Sequence, residues 1–266
     1  MIYVVPSLKA KEKLQSEGKA WAESQGFTYV LRHQRTIQDL MDEYGEDFLV
    51  YSSRGPQIDR PEGSHFFSLN MAELRIQNLR KGQRDHLLEA LIGRGSSHQP
   101  LSVLDCTCGF GADAAVASFG LPAGSRVDAL EVSPLLEAVT SWGFSHFVHK
   151  KDDVTAALRR ISLRRGDYRD YLLSDEGSVY DVLYFDPMFQ RPVEASCQFQ
   201  PVRAIMEHGG LTRDLIERAL QKARRRVVIK ERDFRQLCRD FPEVTLYGGK
   251  YSRIGYAVLE CDSWKK

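Results

Sequence analysis

Residues 101–114, Leu-Ser-Val-Leu-Asp-Cys-Thr-Cys-Gly-Phe-Gly-Ala-Asp-Ala, constrain the fold more than any other stretch. An apolar run closes on Asp105, a turn of small residues follows, and a helical pattern starts near Gly111. Gly109 and Gly111 let the backbone approach a ligand closely, because glycine has no Cβ and tolerates left-handed dihedrals. The N-terminus of the next helix aims unpaired N–H groups at the same place. From here strands alternate with helices. Strands are expected at 101–105, 126–131, 161–166, 179–186 and 226–231, and helices at 111–119, 134–142, 153–158, 202–223 and 233–240. A terminal hairpin is expected at 244–247 and 254–261, turning at Gly248 and Gly249. The pattern predicts an α/β, doubly wound, Rossmann-like and mainly parallel sheet with a terminal antiparallel hairpin.

The first hundred residues read differently. Short strands at 2–5, 27–31 and 48–51 alternate with a helix capped by Ser7 and running to about Gln25, and with a second at 37–44. Gly55 and Pro56, then Pro61 and Gly63, mark a loop. We therefore expect a small N-terminal α/β domain over 1–64, a helical linking segment over 65–99, and the main domain over 100–266, with the Gly/Ser-rich stretch 93–100 as boundary.

Composition narrows the class. Of 266 residues, 42% are hydrophobic and 27% charged, which supports a core and argues against a disordered chain. Apolar runs such as 179–185 span only a few residues, too short for a membrane helix, so no membrane partner is expected. The start lacks the pattern of a signal peptide, and the five cysteines are odd in number and scattered. The expectation is a reduced, cytoplasmic protein. Cys106 and Cys108 have no second pair at ligand spacing, so they read as small turn residues and no metal site is expected. Nothing in the sequence discloses an oligomeric state.

Two cofactor classes use the 101–114 layout. Gly109-Phe-Gly-Ala-Asp-Ala formally meets the dinucleotide pattern G-x-G-x-x-A. Asp105 and Asp113 argue against it, since both would crowd a pyrophosphate with like charge. The same carboxylates favour S-adenosylmethionine (SAM), whose ammonium and sulfonium are cationic. Glu131, twenty residues beyond Gly111 at a strand end, is placed to accept hydrogen bonds from ribose hydroxyls. Asp167, at the end of the third strand, would reach the adenine amino group, and Tyr168 would pack on the ring.

The fourth strand ends in Asp186-Pro187-Met188-Phe189, beside the first strand in this topology. The tetrapeptide resembles the (Asn/Asp)-Pro-Pro-(Tyr/Phe) loop of methyltransferases that act on exocyclic amines. The lone pair of such an amine is delocalised into the base. Asp186 and the Pro187 carbonyl would accept its two hydrogens and aim the lone pair, while Phe189 stacks on the base. Met188 in place of the second proline is a departure. Residues 213–239 hold ten Lys/Arg against four Asp/Glu, and 150–170 hold seven against four. Such runs suit a polyanionic partner, although solvated helix faces look the same.

Asp105-x-Thr107-x-Gly109-x-Gly111-x-Asp113, then Glu131, then Asp186-Pro-Met-Phe, resembles the small-subunit ribosomal RNA guanine-N2 methyltransferases of the RsmJ type. The likeness continues through Met71-Ala-x-x-Arg75-Ile76 upstream, and through Arg226-Val-Val-Ile-Lys230 and Gly249-x-x-x-Arg253 downstream. The N-terminal part is similar to a Gram-positive branch of SAM methyltransferases. The resemblance implies a class I SAM-dependent enzyme acting on a guanine amine of ribosomal RNA. Ala112 and Asp113, Glu131 and Val132, Asp167 and Tyr168, and Asp186 would line the SAM site. Val132 stands where the family usually has Arg, and Gln-Arg-Pro follows Phe189 where it has a Pro-His-Lys type sequence. A methyltransferase of a small molecule or protein, and a non-catalytic SAM-binding protein, remain the alternatives.

Overall fold

The protein is described by a computed structural model covering residues 1–93, 99–175, 179–187, 210–248 and 254–264. It divides into two compact units. The first comprises Met1–Ser68 together with Ser133–Phe147; the second takes in Leu69–Val132 and the described parts of the chain after Val148.

The first unit is built on a sheet of β1 (Tyr3–Pro6), β2 (Thr28–Tyr29), β3 (Phe48–Ser52), β4 (Gly55–Arg60) and β5 (Gly63–Phe66), in the order β2-β1-β3-β4-β5. β1 pairs parallel with β2 and β3; the remaining pairs are antiparallel. Helices α1 (Glu12–Ser24) and α2 (Ile37–Tyr44) supply crossovers. α2 carries a capping box, Thr36 and Asp39 satisfying each other's backbone N–H groups. Val5, Leu40, Phe48 and Val50 form one of its buried clusters.

Two expectations here are corrected. Ser7 does not cap α1; the helix begins after Lys11. The Ser7 N–H extends the β1–β3 ladder to the Tyr51 carbonyl, and its own carbonyl closes a turn with Ala10. The Gly/Pro-marked loop at 55–63 is instead two hairpin strands. Ser52 pairs with Gly55 and Arg60 with Gly63, so the chain reverses on two-residue turns, Ser53-Arg54 and Pro61-Glu62, rather than in a long loop.

The second unit carries α3 (Asn70–Arg80), α4 (His86–Ile92), β6 (Ser102–Asp105), α5 (Ala112–Gly120), β7 (Arg126–Glu131), α7 (Asp152–Arg159), β8 (Ile161–Arg165), α8 (Tyr168–Leu173), β9 (Val182–Phe185), α9 (Arg213–Lys222), β10 (Arg226–Glu231), α10 (Arg235–Asp240), β11 (Thr245–Gly248), β12 (Gly255–Glu260) and α11 (Cys261–Trp264). The sheet order is β11-β12-β10-β9-β6-β7-β8, with β12 antiparallel to both neighbours and the rest parallel. This is the expected doubly wound sheet with its terminal hairpin. β9 starts three residues later than expected, because Asp181 closes its beginning: its carboxylate accepts the Ser102 N–H and hydroxyl, both at 2.9 Å. α9 starts at Arg213, after Thr212 caps it, rather than at 202; residues 202–209 lie outside the described residues, as do 94–98 at the expected boundary. α8 was not expected. Among the described residues no helix is long and apolar enough to cross a membrane.

α6 (Pro134–His146), the helix that follows β7 in sequence, packs in the first unit against β4. Its contact is close because Gly143 leaves room for the Phe67 ring and Gly55 for the Trp142 indole. A Cβ on Gly55 would lie 2.5 Å from the indole, at φ +89°. Gly55→Ala therefore combines a left-handed strain with an overpacked contact and is expected to destabilise the protein by about 2 kcal/mol or more. Urea unfolding followed by tryptophan fluorescence measures this.

Candidate functional site

From β6 the chain proceeds outward to β7 and β8 on one side, and to β9 and β10 on the other. The carboxyl ends of β6 and β9 flank that reversal, the place where doubly wound sheets bind ligands. The turn after β6 is strapped to both neighbours. The Cys106 N–H donates to the Tyr184 carbonyl at 2.8 Å, and the Cys108 N–H to the Leu130 carbonyl at 2.9 Å. The Asp105 carboxylate accepts the Thr107 N–H at 3.1 Å and so shapes the turn from within.

Gly109 and Gly111 both have positive φ, +55° and +74°, and Gly111 caps α5 in the left-handed region. The Gly109 N–H donates to Glu131 Oε2 at 2.8 Å, tying the turn to the end of β7. Among the described residues, a Cβ placed on Gly109 would meet nothing nearer than the Thr107 carbonyl, 3.9 Å away, which leaves room there for close approach by a ligand.

Behind the turn lies a cluster of charge. Asp113, in the first turn of α5, is 8% exposed. It accepts from Arg75 on α3, from Lys230 Nζ on β10 at 2.8 Å, and from the Tyr184 hydroxyl on β9 at 2.7 Å. Arg75 also donates twice, each at 2.8 Å, to Asp85, which caps α4. Lys230 Nζ reaches Asp186 Oδ2 at 2.7 Å, and the Asp186 N–H donates to Thr107 Oγ1 at 2.7 Å. A single connected network thus joins α3, α4, α5, β9, β10 and the turn.

The electrostatics follow from burial and partners. Burial disfavours the charge of Asp113, but Lys230 and Arg75 outweigh it and hold the carboxyl well below its usual range. Asp186 goes the other way: burial raises it to about 6, with Asp113 adding to the rise and Lys230 opposing it. Burial also pushes Asp105 well above the carboxylate range, against the pull of the Thr107 N–H and helped by Asp113 and Asp186.

The expected site residues separate accordingly. Asp105, Gly109, Gly111, Ala112, Asp113, Glu131, Val132, Asp186 and Pro187 gather at this end of the sheet, while Phe189 lies outside the described residues. Asp105 and Asp113 are the carboxylates expected to favour a cationic ligand near the turn. Both are buried, one bonded into the turn and the other into the charge network. Asp167 caps α8, accepting the Arg169 N–H at 2.8 Å and pairing with the Arg169 guanidinium. The Tyr168 ring is 7% exposed and packs edge-on to Phe185 in the core.

Sequence reading underweighted Arg75, Thr107 and Lys230. Lys230 stands in the resemblance and at a strand end without an assigned role, yet a lysine ending an apolar strand beside an acid-ended one is a usable signal. The basic run at 213–239 is likewise less uniform than its count implied. Lys222 and Arg226 are buried, Arg213 pairs with Glu217 and Arg235 with Asp233.

A family model described as "Putative SAM-dependent methyltransferase" matches residues 63–254. Among similar curated proteins, the uncharacterized protein YpiP of Bacillus subtilis (strain 168) is 28% identical over 86% of this chain and 88% of its own length. The ribosomal RNA small subunit methyltransferase J of Pseudomonas fluorescens (strain SBW25) is 29% identical over 91% of both chains. A crystal structure of a SAM-dependent methyltransferase from Neisseria gonorrhoeae superposes with a TM-score of 0.62 at 18% identity, covering 97% of this chain and 95% of that one. That likeness is one of fold, and the fold is Rossmann-like.

Removing Arg75 strands two carboxylates at once. Arg75→Ala is expected to cost about 3 kcal/mol near neutral pH. Asp113 and Asp85 both have depressed pKa values, so the stability they contribute is present above the ordinary carboxylate range and lost as pH falls below it. The gap between wild type and variant should therefore narrow on acidification, as denaturant titrations at several pH values would show.

Proposed function

The chain belongs to this family of SAM-dependent methyltransferases, and from that premise we propose that it methylates an exocyclic base amine of RNA, the guanine N2 of ribosomal RNA being the target the resemblance favours. The observation that carries this reading is the setting of Asp186. Lys230 holds its Oδ2, and among the described residues no donor reaches Oδ1. The side chain keeps 28% of its surface exposed at the mouth of the crevice, with Pro187 next in the chain. The name of the Pseudomonas fluorescens relative supports ribosomal RNA as the substrate class.

The proposed cofactor residues fit SAM through the open glycine turn and the adjoining acid. Gly109, Gly111 and the first N–H groups of α5, at Ala112 and Asp113, would receive its amino-acid end. Glu131 would accept from the ribose, and Val132, 37% exposed, would give the adenine an apolar wall. Asp105 supports the turn from beneath, and Asp167 and Tyr168 shape the adenine end through the start of α8. When bound, SAM supplies a methyl carbon on a cationic sulfur, which keeps the bonding pair and leaves as a thioether.

The chain's own residues do the rest. Asp186 Oδ1 accepts one N–H of the acceptor amine and the Pro187 carbonyl accepts the other, which frees the nitrogen lone pair from the ring and aims it at the carbon. As the nitrogen–carbon bond forms, positive charge grows on nitrogen beside an ionised carboxylate. The surplus proton passes to Asp186. Phe189 would stack on a base that is unpaired or flipped out of its helix.

Methyl transfer from radiolabelled SAM to ribosomal subunits and naked RNA from cells lacking the gene, followed by nucleoside digestion, tests the acceptor. Label in methylated guanosine is the expected result; label only in protein or small molecules would refute the RNA reading. Asp186 can take the surplus proton only when ionised, so kcat should rise with pH through about 6, and Asp186→Ala should abolish turnover with the fold intact. Glu131→Ala should weaken SAM binding by tenfold or more, roughly the worth of a hydrogen bond to a charged group. An unchanged calorimetric isotherm would count against the ribose assignment.

A further inference from the structure

Asp186 has an unfavourable neighbourhood for a residue that must accept hydrogen bonds. Asp113, Asp105 and Glu231 all bear on it or its surroundings with like charge, Tyr184 and Tyr256 offer none of opposite sign, and Arg75 is engaged by Asp85 and Asp113. Among the described residues, Lys230 is the cation that touches it. Ile229 and Phe185 are register partners in the parallel β10–β9 pair, so the next residue on each strand, Lys230 and Asp186, emerge side by side.

We propose that Lys230 is a positioning residue for Asp186: its ammonium takes Oδ2, keeps the carboxylate charged, and leaves Oδ1 as the oxygen presented to the acceptor amine. The proposal rests on the reading of Asp186 given above and adds how that residue is prepared. Nζ spans the two carboxylates at 2.8 and 2.7 Å. Asp113 cannot follow a displaced ammonium, because Arg75 and the Tyr184 hydroxyl hold it from other elements. The backbone of Asp186 is pinned separately through its N–H to Thr107 Oγ1. With main chain and Oδ2 both fixed, the carboxylate plane loses its freedom to rotate. An uncompensated acid in this company would take up a proton, and a protonated oxygen donates where acceptance is needed.

The test compares the full-length wild type with Lys230→Met and Lys230→Arg. The Asp186 carboxyl is titrated by carbon NMR of aspartate-labelled protein, its resonance assigned with Asp186→Asn. SAM affinity and the pH profile of kcat are measured on the same samples. In Lys230→Met the Asp186 titration and the acid limb of kcat should both move up by about one pH unit or more. Near neutral pH kcat should fall about 100-fold, the scale of a misplaced reacting group. SAM affinity should stay within about threefold, well under the tenfold that 1.4 kcal/mol represents. Lys230→Arg should recover much of the loss. If Lys230→Met does not fold, Lys230→Met with Asp113→Asn, read against Asp113→Asn alone, removes the second carboxylate that Lys230 neutralises and is judged by the same criteria. An unmoved Asp186 titration, or a moved titration with unchanged kcat, overturns the proposal. Failure of every RNA to accept methyl refutes the acceptor reading instead, and the NMR titration still decides whether Lys230 governs Asp186.

Discussion

Asp113 is the carboxylate on which this end of the second unit depends. It is an acid in the first turn of a helix, where the helix dipole already favours negative charge. Three donors from three other elements converge on it: Arg75 from α3, Tyr184 from β9 and Lys230 from β10. Buried charge on this scale is costly unless every partner is present. The partners are therefore fixed relative to one another, and so is whatever they touch next. Through Arg75 the hold extends to the cap of α4, and through Lys230 to Asp186. The crevice inherits its geometry from an ion network lying behind it.

Much of the second unit could be read from residue order. The alternation of Val-, Ile- and Leu-rich runs with helical stretches located β6, β7, β8 and β10 within a residue or two. The acids Asp105, Glu131 and Asp186 do lie at or just past the carboxyl ends of their strands, the end at which doubly wound sheets bind ligands. What could not be read was the direction in which each acid points. Asp105 and Glu131 look alike in sequence, and both turn out to bond the turn backbone, one at Thr107 and one at Gly109. Asp167 is committed to a helix cap because Arg169 follows two residues later, and Tyr168 turns inward because Phe185 offers a face to pack on. The turn of Tyr168 is a tertiary decision with no local sign, whereas the Asp167 cap is local and goes unread because α8 itself does.

The first unit was less legible, for a different reason. Its strands are short, and its hairpins turn on two residues each, so Gly and Pro sit where they resemble loop markers. α6 is the sharper case. Its sequence position after β7 predicts a layer on the second sheet, yet Gly143 and Trp142 contact Phe67 and Gly55 of the first unit. Contacts that depend on missing side chains are hard to foresee, because what matters is an atom that is absent.

The antiparallel placement of β12 has a consequence for synthesis. β10, which carries Lys230, pairs with β9 on one edge, and its other edge is covered by β12 along all six register pairs from Arg226 to Glu231. β12 leaves the ribosome roughly twenty-five residues after β10, a delay on the order of seconds at typical elongation rates. During that interval Val227, Val228 and Ile229 form an apolar strand with an open hydrogen-bonding edge, the kind that recruits foreign strands. Arg226 at one end and Lys230 with Glu231 at the other bracket the exposed segment with charge, and such flanking charges are what keep an unfinished edge from sticking. The lysine that serves the crevice in the finished protein would then also guard its strand while the protein is still being made.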